Sequence, residues 1–238
     1  MRNKVLKSTG RFLVNRINAT GFILVGGASS RLGRDKALAE IAGKRTVDRM
    51  AEALRAVMLG STLVGDPTKY GNLGMKCLPD LWPGEGPLGG ILTALRYTAS
   101  LSSLETSAYN VIVSCDMPFL SGSWLEELLS RAFNSEAQVV VPQSAIGLEP
   151  LCAVWRTDAL SVVQREFDLG VRKVTEAMKQ LQMEVLDETV WKRFDTENRL
   201  FWNMNTPADY EEARRILEDE ERWTRDFDQW AKKFKKPV

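Results

Sequence analysis

Residues 21–40 read GFILVGGASSRLGRDKALAE: a short apolar run, two adjacent glycines, then Arg31 and Lys36. Small residues at Gly26-Gly27-Ala28-Ser29-Ser30 let main-chain N–H groups approach a ligand closely, and such a turn can enclose phosphate oxygens. Arg31 offers a planar guanidinium suited to bidentate contact, and Lys36 a mobile point charge. This stretch is neither G-x-G-x-x-G nor G-x-x-x-x-G-K-[ST], so the two common nucleotide fingerprints are absent from it, and a glycine pair alone also fits a plain tight turn. Further along, SCDMPFL places Asp116 at the end of a second apolar run. A carboxylate there suits a hard cation such as Mg²⁺, which is typically held by one or two carboxylates plus substrate phosphates. The same aspartate ahead of Met117-Pro118 also suits a turn cap. Phosphate loop and metal carboxylate support one another if they reach one sheet edge.

The chain has no histidine. That removes the commonest general base, the Ser-His and Cys-His nucleophile pairs and the commonest zinc ligand. Chemistry must run on carboxylates, lysine, arginine, amides and metal held by oxygen. A net charge of +1 recruits neither nucleic acid nor an acidic membrane surface. Cys77, Cys115 and Cys152 are few and widely spaced, which implies no disulfide framework or metal knuckle and fits a reducing cytoplasm. No apolar run approaches the ~20 residues of a membrane span. The basic start, MRNKVLKSTGRFLVNRINAT, lacks a signal-peptide apolar core and reads as an extension with a short amphipathic stretch at residues 12–17.

The elements that must position these groups alternate. Strands are predicted at Gly21–Val25, in STLVGD, in MKCLPD, in NVIVSCD and in AQVVVPQ, the last ended by Pro142. Helical periods lie between them: from Lys44–Thr46 through VDRMAEALRAVM, in GPLGGILTALRYTASL, and in SGSWLEELLSRAF with Ser121 or Ser123 as N-cap. Short strands and helices continue to a long helical pattern opening with Thr206-Pro207, an N-cap and N1 pair. Such alternation predicts an α/β fold, a Rossmann-like three-layer α/β/α arrangement with a mostly parallel sheet. In such sheets ligands bind beyond the carboxyl ends of strands. One domain over 20–217 is expected, with extensions at 1–19 and 218–238. Trp223, Phe227 and Trp230, spaced four and three apart, predict a helix docked on that domain, with a partner or dimer contact as the alternative.

LVGGASSRLGRDKAL resembles the L-A-G-G-x-S-x-R-M-G-x-D-K-A-L signature of the molybdenum cofactor guanylyltransferases and their nucleotidyltransferase relatives, with Val25 for Ala and Leu32 for Met. PGEGPLGGI is similar to the family's G-P-L-x-G-I segment, SCDMPFL to its C-D-x-P-F/Y stretch and NMNTPADY to its N-x-N-T-P-x-D ending. EPLCAVWR is similar to the stretch where the second substrate is met. The set lies in family order across residues 20–215. It implies a fold of the nucleotide-diphospho-sugar transferase type. It also implies that Leu24, Val25, Gly26 and Gly27 present backbone to a guanine nucleotide, that Lys36 contacts its phosphates and that Arg31 assists. Asp80 would meet base or ribose, Asp116 would hold Mg²⁺ and touch the nucleotide, and Asn205 would lie near the metal or second substrate. The family's asparagine after the second strand falls here at Gly65, which has no side chain to read a base.

The reaction so implied is attack by the terminal phosphate of molybdopterin, or its molybdenum-loaded form, on the α-phosphorus of GTP. Pyrophosphate leaves and a guanine dinucleotide cofactor forms. Cytidylyl-transferring relatives tend to show L-A-A-G and D-x-D-T-P; Gly26 and Asn203 here favour GTP, the glycine giving a larger purine more room. The alternatives are a related enzyme using CTP or a sugar or polyol phosphate acceptor, and a catalytically silent nucleotide-binding protein. Partners implied are GTP, molybdopterin and other cofactor-biosynthesis or molybdoenzyme-maturation proteins, with no nucleic acid or membrane.

Overall fold

The computed structural model describes residues 19–26, 33–58, 60–101 and 108–234, with side chains through residue 227. Gly27 and Arg31 lie outside the described residues, as does the N-terminal extension through residue 18.

The described chain alternates as its pattern predicts. Strand β1 (Ala19–Leu24) is followed by a small hairpin of β2 (Glu40–Ile41) and β3 (Lys44–Arg45), then helix α1 (Thr46–Arg55). Next come β4 (Ser61–Gly65), α2 (Pro67–Tyr70), β5 (Lys76–Pro79), α3 (Pro87–Ser100), β6 (Tyr109–Ser114) and α4 (Gly122–Phe133). Strands β7 (Val139–Ser144), β8 (Gly147–Leu148) and β9 (Cys152–Arg156) lead to α5 (Leu160–Asp168) and α6 (Val174–Met178). The order closes with β10 (Met183–Leu186), α7 (Glu188–Trp191) and α8 (Pro207–Phe234).

The main sheet runs β10-β7-β9-β6-β1-β4-β5, with β8 pairing β7. Strands β6, β1, β4 and β5 are mutually parallel, as are β10 and β7. Only β9, among the strands of that path, runs against its neighbours, β6 and β7. The strands read as almost continuous apolar runs because both faces are buried. Successive residues alternate between two cores. Ile23, Val111, Val113, Val140 and Val154 enter one core with α1 and α4. Phe22, Ile112, Val139, Val141, Ala153 and Trp155 enter the other with α3, α5 and α6. Helices on both faces of a mixed, mostly parallel sheet give the expected three layers.

Two expectations need correction. Pro142 does not end β7, which continues to Ser144. The strand carries through the ring: Pro142 pairs in register with Leu186, and its carbonyl accepts Glu149 N–H at 2.9 Å. Nor is Trp223 buried against the domain; the side chain of Trp230, the third aromatic of that pattern, lies outside the described residues. Helix α8 buries Tyr210, Ala213 and Leu217 against Ala39, Ile41 and Met204, whereas Trp223 is 68% exposed and Phe227 50% exposed, their rings stacked at 5.4 Å. Their side of the helix is turned about a quarter-turn from the docked stripe. The position between residues 217 and 218 falls inside this one continuous helix.

Candidate active site

Strand β1 ends at Leu24, and the chain stays on the sheet for one residue more: Val25 N–H donates to Val64 O at 2.9 Å. Gly26 then turns with φ of +114°, a backbone conformation open to glycine and strained for other residues. Leu24 O accepts Cys115 N–H at 3.3 Å, which ties the start of this turn to the end of β6. Beside it, a Cβ on Gly65 would lie 2.3 Å from Val25 O. The close approach of these two strand ends forces glycine at 65, so no base-reading side chain can occupy that position.

Lys36 returns to the same edge. Its Nζ donates to Asp116 Oδ2 at 2.8 Å and to Asn205 Oδ1 at 2.7 Å. Three segments remote in sequence therefore meet at one ammonium: the loop after β1, the loop after β6 and the approach to α8. Asp116 is 8% exposed. Its second oxygen accepts Ser114 Oγ–H at 2.6 Å, and its carbonyl accepts Met204 N–H at 3.0 Å, which brings the Asn205 segment alongside. Asn205 is fixed from below, where Asp209 Oδ2 accepts the N–H groups of Asn205 and Thr206 at 3.0 and 2.8 Å. Thr206 Oγ1 accepts Asp209 N–H in return, a reciprocal cap that starts α8.

The backbone leading out of Lys36 is held by its neighbour. Asp35 Oδ1 accepts Ala37 N–H at 2.8 Å and Leu38 N–H at 3.3 Å, while Oδ2 takes the buried Tyr70 hydroxyl at 2.7 Å and pairs with Lys69. Burial alone would raise the Asp35 carboxyl; the bonds from Lys69, Tyr70 and Leu38 outweigh it and hold the group below the usual aspartate value. Burial and the Asp35 charge push the Tyr70 hydroxyl far up, so it stays a donor. Cys115 lies between Ser114 and Asp116, but burial and then the Asp116 charge raise its thiol strongly. It is no candidate nucleophile.

Asp80 stands at the carboxyl end of β5, two strands from β1. Its N–H donates to Gly65 O at 3.2 Å, and its Oδ1 accepts Trp82 N–H and Thr93 Oγ1–H at 3.0 and 3.1 Å. The structure thus joins Lys36, Asp116 and Asn205 directly, sets Leu24, Val25 and Gly26 beside them, and places Asp80 further along the same edge. Sequence reasoning missed Ser114, Tyr70 and Asp209 as supporting groups. Only Asp209 had a readable signal, its capping spacing three residues after Thr206.

A family model described as the MobA-like NTP transferase domain matches residues 21–183. The chain belongs to the MobA-like NTP transferase family. It is 30% identical over 204 residues to a "Probable molybdenum cofactor guanylyltransferase" of Pelotomaculum thermopropionicum, covering 85% of this chain and 95% of that protein. It is 28% identical over 200 residues to a molybdenum cofactor guanylyltransferase of Desulfosudis oleivorans, covering 83% and 95%. Among solved structures it superposes on molybdopterin-guanine dinucleotide biosynthesis protein A of Archaeoglobus fulgidus with a TM-score of 0.72 at 25% identity, covering 84% of this chain and 99% of that one. A CMP:2-keto-3-deoxy-manno-octonic acid synthetase, with a TM-score of 0.60 and 14% identity, shares the fold. As a MobA-like enzyme the chain is a nucleotidyltransferase.

Metal fit can be judged from the donor set. Among the described residues no three His, Cys, Asp or Glu side chains cluster to cage an ion. Asp116 Oδ2 and Asn205 Oδ1 nonetheless converge on one cationic nitrogen. Two hard oxygens at a point already occupied by positive charge suit a divalent cation that completes its shell with phosphate and water. No helix of the described residues is long and apolar enough to cross a membrane.

Proposed function

We propose that this MobA-like enzyme transfers GMP from GTP to the terminal phosphate of molybdopterin, free or molybdenum-loaded, in the cytoplasm, releasing pyrophosphate. The observation that carries the reading is the meeting of Lys36, Asp116 and Asn205 beside the glycine turn, at the carboxyl edge of a parallel sheet. The names of the relatives and the A. fulgidus structure supply the substrates.

In this reading the glycine turn, including Gly27, receives the nucleotide on bare backbone, and Asp80 meets its base or ribose. Lys36 leaves Asp116 and Asn205 for the phosphates, with Arg31 as second cation. Asp116, aided by Asn205, holds Mg²⁺, which when bound neutralises charge on the departing pyrophosphate. No general base is required: a phosphate monoester has a second pKa near ~6, so the attacking oxygen is ionised at neutral pH. The task is to bring two anions together and align them, which rests on positioning and electrostatics. A histidine-free site can meet that demand.

Incubation of the full chain with GTP, Mg²⁺ and molybdopterin, followed by mass analysis, tests the reading. The expected product is the guanine dinucleotide with stoichiometric pyrophosphate. A cytosine dinucleotide formed in preference from CTP, or no dinucleotide at all, would overturn it.

A further inference from the structure

Helix α8 outruns the domain that anchors it. Its early turns bury Tyr210, Ala213 and Leu217, and two ion pairs hold the turn after them. Arg199 Nη1 donates to Glu220 Oε1 at 3.2 Å, and Arg49 Nη2 to Glu221 Oε1 at 3.0 Å. From Arg222 to Phe227 every residue is exposed. The helix nonetheless continues unbroken to Phe234, about 20 Å beyond Glu221. A helical arm of that length is marginal in water unless a partner covers an apolar face.

The arm carries such a face. Trp223 and Phe227 are exposed with their rings stacked only 13° from parallel. In sequence, Trp230 and Phe234 continue the series, at intervals of four, three and four residues from Trp223. That is the heptad spacing of a two-helix seam.

The charges along the arm select the occupant. The acidic run of residues 218–221 lies six to nine residues before Phe227, and four lysines lie five to nine residues after it. Trp223 and Trp230 bracket Phe227 in the same way, four before and three after. Reversing the segment about Phe227 therefore lays aromatic on aromatic and acid on base. A copy lying the same way round would set acid on acid. Positions 219, 226 and 233 follow one flank of the seam at heptad spacing, as Asp219, Asp226 and Lys233. In an antiparallel pair that flank meets its own reverse, so Asp219 faces Lys233 of the other copy twice over, by symmetry. Asp226 alone meets its own twin, at the axis.

We propose that a second copy of this chain covers the seam, the two α8 arms packing antiparallel and crossing at Phe227. The crossing point lies about 30 Å along α8 from Thr206, so both active sites stay open.

Sedimentation velocity of the full chain from about 1 to about 100 µM tests this. A two-helix interface is at the small end of stable contacts, so a dimer with roughly micromolar Kd is expected. Phe227→Ala should raise that Kd at least about tenfold with the circular dichroism spectrum unchanged. Lys233→Glu should weaken the dimer, and adding Asp219→Lys to it should restore pairing. Asp226→Asn, by removing the one like-charge contact, should tighten it about two- to fivefold at low salt. A wild type that stays monomeric throughout, a result that needs no variant to fold, would overturn the proposal. So would a dimer indifferent to F227A, or failure of the charge exchange to rescue. Monomeric protein that instead pellets with vesicles of anionic lipid would assign the arm to a membrane surface and overturn it too.

Discussion

Replacing Lys36 by alanine should move GTP affinity and nucleotide-independent metal affinity in opposite directions. In the structure the ammonium is bound to Asp116 and Asn205, with the Lys36 and Asp116 side chains 19% and 12% exposed. A charge-assisted contact from ammonium to phosphate is worth about 2–3 kcal/mol. The wild-type lysine must first leave its carboxylate, and at this partial exposure that release costs about 1 kcal/mol. The net loss of GTP binding in K36A is then about 1–2 kcal/mol, roughly five- to thirtyfold in Kd. The same ~1 kcal/mol, no longer needed to displace the lysine, should tighten Mn²⁺ binding without nucleotide by about fivefold. Calorimetry with GTP and Mg²⁺ reads the first quantity, and electron paramagnetic resonance titration of free Mn²⁺ the second. A lysine that only props the fold would leave Mn²⁺ affinity flat. Unchanged GTP affinity together with unchanged Mn²⁺ affinity would refute the reasoning.

Asp116→Asn should lower turnover by at least about a hundredfold while the circular dichroism spectrum holds, because one charge leaves the cation position and the side-chain volume stays; near-normal pyrophosphate release would dismiss its metal role. Gly65→Ala drives a methyl group to 2.3 Å from Val25 O, so it should cost about 2–3 kcal/mol in urea denaturation; a neutral result would mean the two strand ends separate freely. Burial lifts the folded value of Glu149 above the reference of 4.5, so its charged form is penalised in the native state. That penalty is absent below pH 4.5 and complete above the raised folded value. E149Q should therefore melt higher than wild type at pH 7.5, with the difference shrinking toward pH 4.5; a difference that grows on acidification contradicts the burial argument.

Much of the site was legible because its groups announce themselves locally. Gly26 and Asp116 each follow an apolar run, and in a parallel sheet the ends of such runs share an edge; Lys36 lies in the loop that Gly26 opens. The buried strands were legible for the same reason, as both faces of β1 and β6 are apolar. What escaped depends on distant partners. Nothing near Tyr70 signals that its hydroxyl will meet Asp35, 35 residues earlier. The β2–β3 hairpin has two residues per strand and turns through Ala42 and Gly43 at positive φ, too short for any periodicity. The aromatics of α8 carry a helical period, which predicts a face but not what covers it. Pro142 misled because proline removes one donor but keeps its carbonyl, which here continues the pairing.

The reversal of a single strand has a wider consequence. A sheet with every strand running one way can furnish its reactive rim only with outgoing loops, each linked to the helix that follows. Strand β9 furnishes that rim with an incoming hairpin, tied to no crossover helix. Length or composition can therefore change between Ser144 and Leu151 while the segments around Gly26, Lys36 and Asp116 keep their geometry. The two parts of the rim are thus separately editable in one small enzyme, so relatives should vary first in that hairpin.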